Sequence, residues 1–220
     1  MPSRTDELRD RIADRLAAEL GDRQLAVTVA ERLDLRAVEA IAESGSDPAT
    51  TELLSFEPIV HDSPESLVVF AFGNRGSAED ELLPGRVNLE LASIADDWAH
   101  ATGLPVFAQW EVADQMRSAS TRVGAVTLDD GSVEYLSTAG VAQQVRDLVW
   151  PIQTHAGRVA VLAMADHAVR CCRTLERFGL SAGVPANVEL PSTYDPLSGQ
   201  PWTRDRASYI AVDILARCLA

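Results

Sequence analysis

Arg158-Val159-Ala160-Val161-Leu162-Ala163-Met164-Ala165-Asp166-His167-Ala168-Val169-Arg170, continued by Cys171 to Leu180, reads as a buried strand that empties into a helix. Val159 to Met164 is an unbroken apolar run of strand length, the pattern of a strand covered on both faces. Asp166 is then the expected N-cap. His167 and Arg170 fall in the first helical turn, three apart and so on one face. In an open α/β sheet, strand carboxyl ends and the helix starts beyond them form the usual ligand crevice. A helix start also carries partial positive charge and free N–H groups. An imidazole and a guanidinium there make a candidate site for an anion or a polar ligand. The competing reading is a helix that merely begins with polar residues on its solvent face.

The same alternation extends outward from this unit. Upstream, Leu67-Val68-Val69-Phe70-Ala71-Phe72 is a first core strand ending in Gly73-Asn74-Arg75-Gly76, where two glycines let the backbone bend close to a ligand. That turn has neither the three glycines of the dinucleotide fingerprint nor the P-loop ending. Leu83 to Asn88 introduces a helix with Leu89, Leu91, Ile94, Ala95 and Trp98 on its apolar side, stopping near Gly103. Pro105 to Glu111 is a second strand with polar groups at its carboxyl end. Val123–Leu128 and Ser132–Leu136 flank Asp129-Asp130-Gly131, a hairpin pattern. Ser137-Thr138 can cap a helix over Ala139–Val149, which Pro151 closes. Gly183–Leu190 is extended, and Tyr194–Arg204 is a long polar-aromatic loop. Ala207–Leu219 is a closing helix.

The first sixty residues differ. Leu8, Ile12, Leu16 and Leu20 recur every four residues, with Gly21 as the stop. One or two more helices follow to Glu43, then the loop Ser44–Pro48 and a short helical stretch between Thr51 and Phe56. The pattern predicts one domain over 1–220. It is a three-layer α/β, Rossmann-like open sheet, mostly parallel, with helices on both faces. Residues 67–220 form its core, and a helical extension over 1–60 packs against the sheet. A homodimer face built from those helices stays open.

A chain of 220 residues suffices for a large core, and a hydrophobic fraction of 46% is ordinary for a soluble protein. The net charge of −14 argues against a broad nucleic-acid or anionic-membrane surface, though not against a local basic pocket. No run reaches the ~20 apolar residues of a membrane helix. The N-terminus lacks the apolar core of a secretory signal, so the cytoplasm is the expected compartment. Cys171, Cys172 and Cys218 make neither a disulfide framework nor a metal-ligand spacing. With no lysine and abundant Arg, Ala and Asp, the composition suggests high-GC coding, and a bacterial specialised pathway is the expected setting.

No G-x-S-x-G, H-E-x-x-H, C-x-x-C or EF-hand pattern is present. Of the histidines, His100 reads as a surface or partner-packing residue, and His61 and His155 as solvated connections. Only His167 stands where strands deliver ligands. A helix start disfavours imidazolium, so a neutral base or acceptor is expected there. Glu111 and Asp114 follow a strand end and could hold a hydroxyl, an amine or a proton, or lie in a solvated loop. Arg86 could clamp a carboxylate or phosphate, or form a surface ion pair. The loop bearing Tyr194 and Trp202 could lid a pocket or cover the sheet edge.

This order of pieces resembles the YdcF/SanA-like family of Rossmann-like proteins. The similarity rests on the strand Leu67–Gly73 with its glycine turn, on Arg86 near the next helix start, and on Thr138 at a later helix start. The His167-x-x-Arg170 start after Val159–Met164 completes it. It covers residues 67 to 185. Where such proteins carry Glu-Asn after the threonine and Ser-Gly-Gly after the second strand, this chain has Gly140-Val141 and Gln109-Trp110-Glu111. The resemblance implies a nucleotide-type small-molecule ligand, with S-adenosylmethionine linked to one branch. Together these readings predict one crevice with Glu111 and His167 as an acid–base pair. Gly73, Asn74, Arg86, Thr138 and Arg170 are expected to bind the ligand there, with Tyr194 and Trp202 at the mouth and no metal. The protein is then a small-molecule enzyme or a non-catalytic binding or regulatory protein.

Overall fold

The computed structural model describes residues 3–44, 52–57, 59–61, 63–76, 83–127, 129, 133–150 and 157–219. The expectations for His155, for Pro151 as a helix stop, for the loop beyond Ser44 and for Asp130-Gly131 lie outside them. The chain divides into two compact units, Met1–Glu57 with Pro201–Ala220, and Pro58–Gln200.

The first unit opens with α1 (Arg4–Leu20), α2 (Arg23–Arg32) and α3 (Leu35–Glu43). Their starts are written in the sequence. Ser3 and Asp6 form a reciprocal capping box, while Asp22 and Asp34 accept the N–H of Leu25 and Ala37. Such caps are worth about 1 kcal/mol each. Gly21 ends α1 at φ 67°, a left-handed conformation that glycine adopts without steric cost.

The second unit is built on six strands. They are β1 (Val60–His61), β2 (Ser66–Val69), β5 (Val106–Gln109), β6 (Thr121–Val123), β9 (Arg158–Leu162) and β10 (Ser181–Pro185). Two small antiparallel ribbons lie apart from that sheet: β3 (Asn74–Arg75) with β4 (Leu83–Pro84), and β7 (Ala125–Thr127) with β8 (Val133–Tyr135). The second ribbon is the expected hairpin. The helices are α4 (Arg86–Thr102), α5 (Trp110–Ala113), α6 (Thr138–Val149) and α7 (Ala165–Arg177).

The six strands run in the order β1-β10-β9-β2-β5-β6, and every neighbouring pair is parallel. The fold is a three-layer, Rossmann-like α/β sheet flanked by helices. The three strands read from apolar runs are the adjacent centre, with Leu67 in register with Val106 on one side and Ala160 on the other. All four residues of β2 are buried, as a central parallel strand requires. Val68, Phe107 and Val161 pack on one face with Val141, Val145 and Val149 of α6 and Cys171, Cys172 and Leu175 of α7. Helix α4 packs along β2.

Helix α8 (Arg206–Cys218), capped by Asp205, completes the helical unit. Its Ile210 and Ile214 join Ile12, Leu16, Val29, Val38 and Ile41 in one core, so the N-terminal stripes have a partner. A buried ion pair lies along α8. Arg217 Nη2 lies 2.6 Å from Asp213 Oδ2, Arg217 Nη1 donates to the Ser55 carbonyl at 2.6 Å, and the guanidinium sits 4.3 Å over the Phe56 ring. Among the described residues no helix is long and apolar enough to cross a membrane.

Candidate functional site

From β2 the chain steps outward to β5 and β6, then returns to place β9 and β10 on the other side. The order therefore reverses between β2 and β9, and the crevice of an open α/β sheet lies beyond the carboxyl ends at such a switch point. Two segments leave those ends: Phe70-Ala71-Phe72-Gly73 after β2, and Ala163-Met164-Ala165-Asp166-His167 after β9.

His167 stands in this gap, 5% exposed. Its ring meets Phe70 edge-on with centroids 6.2 Å apart and Phe72 at 6.2 Å, and Phe72 in turn meets Tyr194 at 5.7 Å. Arg170 Nη2 lies 3.3 Å from His167 Nδ1, as the three-residue spacing predicts. A guanidinium can only donate, so Nδ1 accepts and the imidazole proton sits on Nε2. Asp166 is not the N-cap. Met164 holds that position, and Asp166 lies inside the first turn, where its Oδ2 accepts the Tyr194 hydroxyl at 2.8 Å. The orphan N–H of Ala165 goes to the Pro191 carbonyl. The first N–H of the helix is thus satisfied by the chain that follows β10.

The elbow after β2 is fixed by two side-chain amides. Gln109 Oε1 accepts the Ala71 N–H at 2.8 Å. Asn88, fully buried on α4, accepts the Phe72 N–H at 2.8 Å and donates to the Gly73 carbonyl at 2.7 Å. Gly73 turns at φ 67°. The neighbouring start of α4, whose N-cap is Gly85 with no side chain to offer, is served from afar. The Asp195 carboxylate accepts the Arg86 N–H and the Leu197 N–H, and Arg75 donates to it through Nε at 2.8 Å and Nη2 at 3.3 Å. The Arg75 hydrogen bond holds that carboxyl below its usual range. At the start of α4 the Asp195 carboxylate thus takes an N–H of the kind that meets an anion at a helix start.

Glu111 leaves β5 in the first turn of the short α5. Its Oε2 is buried and has no hydrogen-bond partner, and burial pushes its carboxyl up to about 7. Its own backbone N–H and the charge of Arg122 oppose that rise, and Asp114 adds to it. Strand β2 separates β5 from β9, so Glu111 and His167 leave strand ends two spacings apart, about 10 Å.

Of the other sequence candidates, Arg86 opens α4 at this edge, but its exposed guanidinium pairs with Glu90 at 3.0 Å. Thr138 is the first residue of α6, and Ser137 is the cap, accepting the Gly140 N–H. Asn74 lies in β3 and its carbonyl accepts from Gly199 and Ser198. Tyr194 is in the group around His167. Trp202 falls in the helical unit, in the turn Pro201–Thr203, and is exposed. The structure thus joins His167, Arg170, Phe72, Tyr194 and Asp166 by direct contacts, and Glu111 stands apart at the same edge. His61, expected to be solvated, hydrogen-bonds Ser181 Oγ at 2.8 Å through Nε2. His100 is exposed on α4.

Sequence reasoning missed Asn88, Asp195 and Arg75. The one local signal was an amide at position 88 within the apolar pattern of α4. Among the described residues no group of three or more His, Cys, Asp or Glu is arranged to hold a metal ion. Comparison of the chain with protein-family models, with curated proteins and with solved structures yields no match.

Proposed function

We propose that the switch-point crevice takes a small polar anionic or nucleotide-like molecule and acts on it by general acid–base chemistry. In this reading Glu111 exchanges the proton, and His167 Nε2–H, with Arg170 behind it, polarises and orients the substrate. The observation that carries it is a buried, unpartnered carboxyl with a pKa near 7 at the same sheet edge as a donor imidazole. Paired titratable groups in unlike environments are a mark of acid–base sites. A proton-exchanging group works best when its pKa lies near the operating pH. The resemblance to YdcF/SanA-like proteins, with S-adenosylmethionine as a cofactor of one branch, belongs to the same reading.

The second reading is a non-catalytic binder. It is favoured by the same His167–Arg170 contact, which presents donors and no nucleophile.

Thermal unfolding with AMP, ATP, S-adenosylmethionine, citrate or inorganic phosphate tests both readings, since a ligand at 100 times its Kd adds about 2.7 kcal/mol to the folded state. At least one of these should raise Tm, and Arg170→Ala should weaken that ligand by about 1–3 kcal/mol, the usual loss of a charged hydrogen bond. If the protein is an enzyme, Glu111→Gln binds the same ligand but loses turnover. Indifference of Tm to all five compounds, or shifts that persist in both Arg170→Ala and His167→Ala, would overturn the proposal.

A further inference from the structure

The chain between β10 and Gln200 lies across the gap that the proposed site occupies. It leaves β10 through Asn187, an exposed non-glycine residue at φ 63°. It then runs without helix or strand to Gln200 and is fastened at both sides of the switch point. On the α7 side, the Pro191 carbonyl takes the Ala165 N–H at 2.8 Å, and Tyr194 donates to Asp166. On the β2 side, Asp195 pairs with Arg75, while the Gly199 N–H at 2.8 Å and the Ser198 hydroxyl at 3.2 Å reach the Asn74 carbonyl.

Four features suit this strap to movement. His167 is 5% exposed, and Tyr194 of the strap packs on Phe72, which packs on the His167 ring, so a ligand does not reach the imidazole with the strap in this position. The fastenings to Asp166, Arg75 and Asn74 are polar, and at the Arg75–Asp195 pair the arginine side chain is 45% exposed and the aspartate 9%, so water reaches that end from the arginine side. The flank of the strap borders an open cleft of about 420 Å³ lined by Glu90, Ser93 and Ile94 of α4 and by Pro191, Ser192 and Thr193. There is space on that side for displacement. Left-handed Asn187 supplies a loop position able to absorb the backbone change, as hinges do.

We propose that Pro191–Gln200 is a lid that closes on the switch point through Tyr194–Asp166 and Asp195–Arg75, and that it swings away to admit the ligand to His167. The proposal rests on His167 being a ligand-binding group. It is tested without a ligand, so the lid and the ligand-binding reading can fail separately.

Gly199 offers a wedge. A Cβ there would collide with the Gly76 carbonyl oxygen, backbone that cannot turn aside, so Gly199→Ala lifts that end of the strap without removing a polar group. Asp195→Asn weakens the same end by charge. The readout is the rate at which diethyl pyrocarbonate acylates each histidine, resolved by mass spectrometry, with exposed His100 as the internal reference. In the native protein His167 should react at least ten times more slowly than His100. In each variant its rate should rise at least tenfold while that of His100 is unchanged. Urea midpoints keep the comparison to folded protein. Should Gly199→Ala fail to fold, Asp195→Asn and Tyr194→Phe carry the test. Equal rates for His167 and His100 in the native protein would overturn the lid, as would an unchanged His167 rate in every folded variant.

Discussion

Replacing Glu111 by glutamine should stabilise the protein above neutral pH. Burial raises the Glu111 carboxyl from 4.5 to about 7 in the folded state. Between those two values the native protein holds a proton that the unfolded chain has lost. Stability therefore falls as pH rises through the window, and the full cost is present above it. A shift of about 2.5 units corresponds to about 3 kcal/mol at 1.36 kcal/mol per unit. Glutamine keeps the shape of the side chain and carries no charge, so it escapes this cost. Urea unfolding of both proteins at pH 5, 6, 7 and 8 measures the difference. It should be about 1 kcal/mol at pH 5 and grow to about 3 kcal/mol by pH 8. A constant difference across the series, or a variant less stable than the native protein at pH 8, would refute the reasoning.

Breaking the buried ion pair of the helical unit by Asp213→Ala should cost about 3–5 kcal/mol, since it strands Arg217 unpaired. Replacing both residues by apolar ones of similar volume should cost far less in the same urea titration. Burial pushes the Cys172 thiol up to about 12, so it should resist a thiol-reactive dye in the native protein and react only on unfolding. Asp96 is held at about 2: burial raises its pKa, but the Ser118 and Arg117 hydrogen bonds outweigh that. Its contribution to stability is full above pH 4 and lost as pH falls toward 2, so Asp96→Asn should flatten the acid limb of the stability curve.

The centre of the sheet was legible because buried parallel strands read as continuous apolar runs, and β2, β5 and β9 do so. The edges were not. Thr121 and Arg122 of β6 are exposed and only Val123 is buried, while Val60 of β1 is 55% exposed, so neither strand leaves a run to find. The β3–β4 ribbon has two residues a strand, one of them proline. Helix starts at Asp22, Asp34 and Asp205 followed local capping chemistry. Asp166 looked like another cap and is not one, because its carboxylate serves Tyr194, a partner 28 residues away. The His167–Arg170 pair was readable from helical spacing alone. The Asp195–Arg75 pair spans 120 residues, and no local pattern announces it. The burial that raises Glu111 is likewise a tertiary property, invisible beside a strand end in the sequence.

The central claim is that ligand chemistry occurs at the β2–β9 switch point. Its most direct test is an imidazole-detected NMR titration with AMP and with S-adenosylmethionine, the four histidines assigned by single substitution. The account predicts that one of these ligands moves the His167 ring signals saturably, with those of His61 and His100 unmoved and the effect lost in Arg170→Ala. A saturable titration that leaves His167 still while another histidine moves, or no titration with either compound, would contradict it.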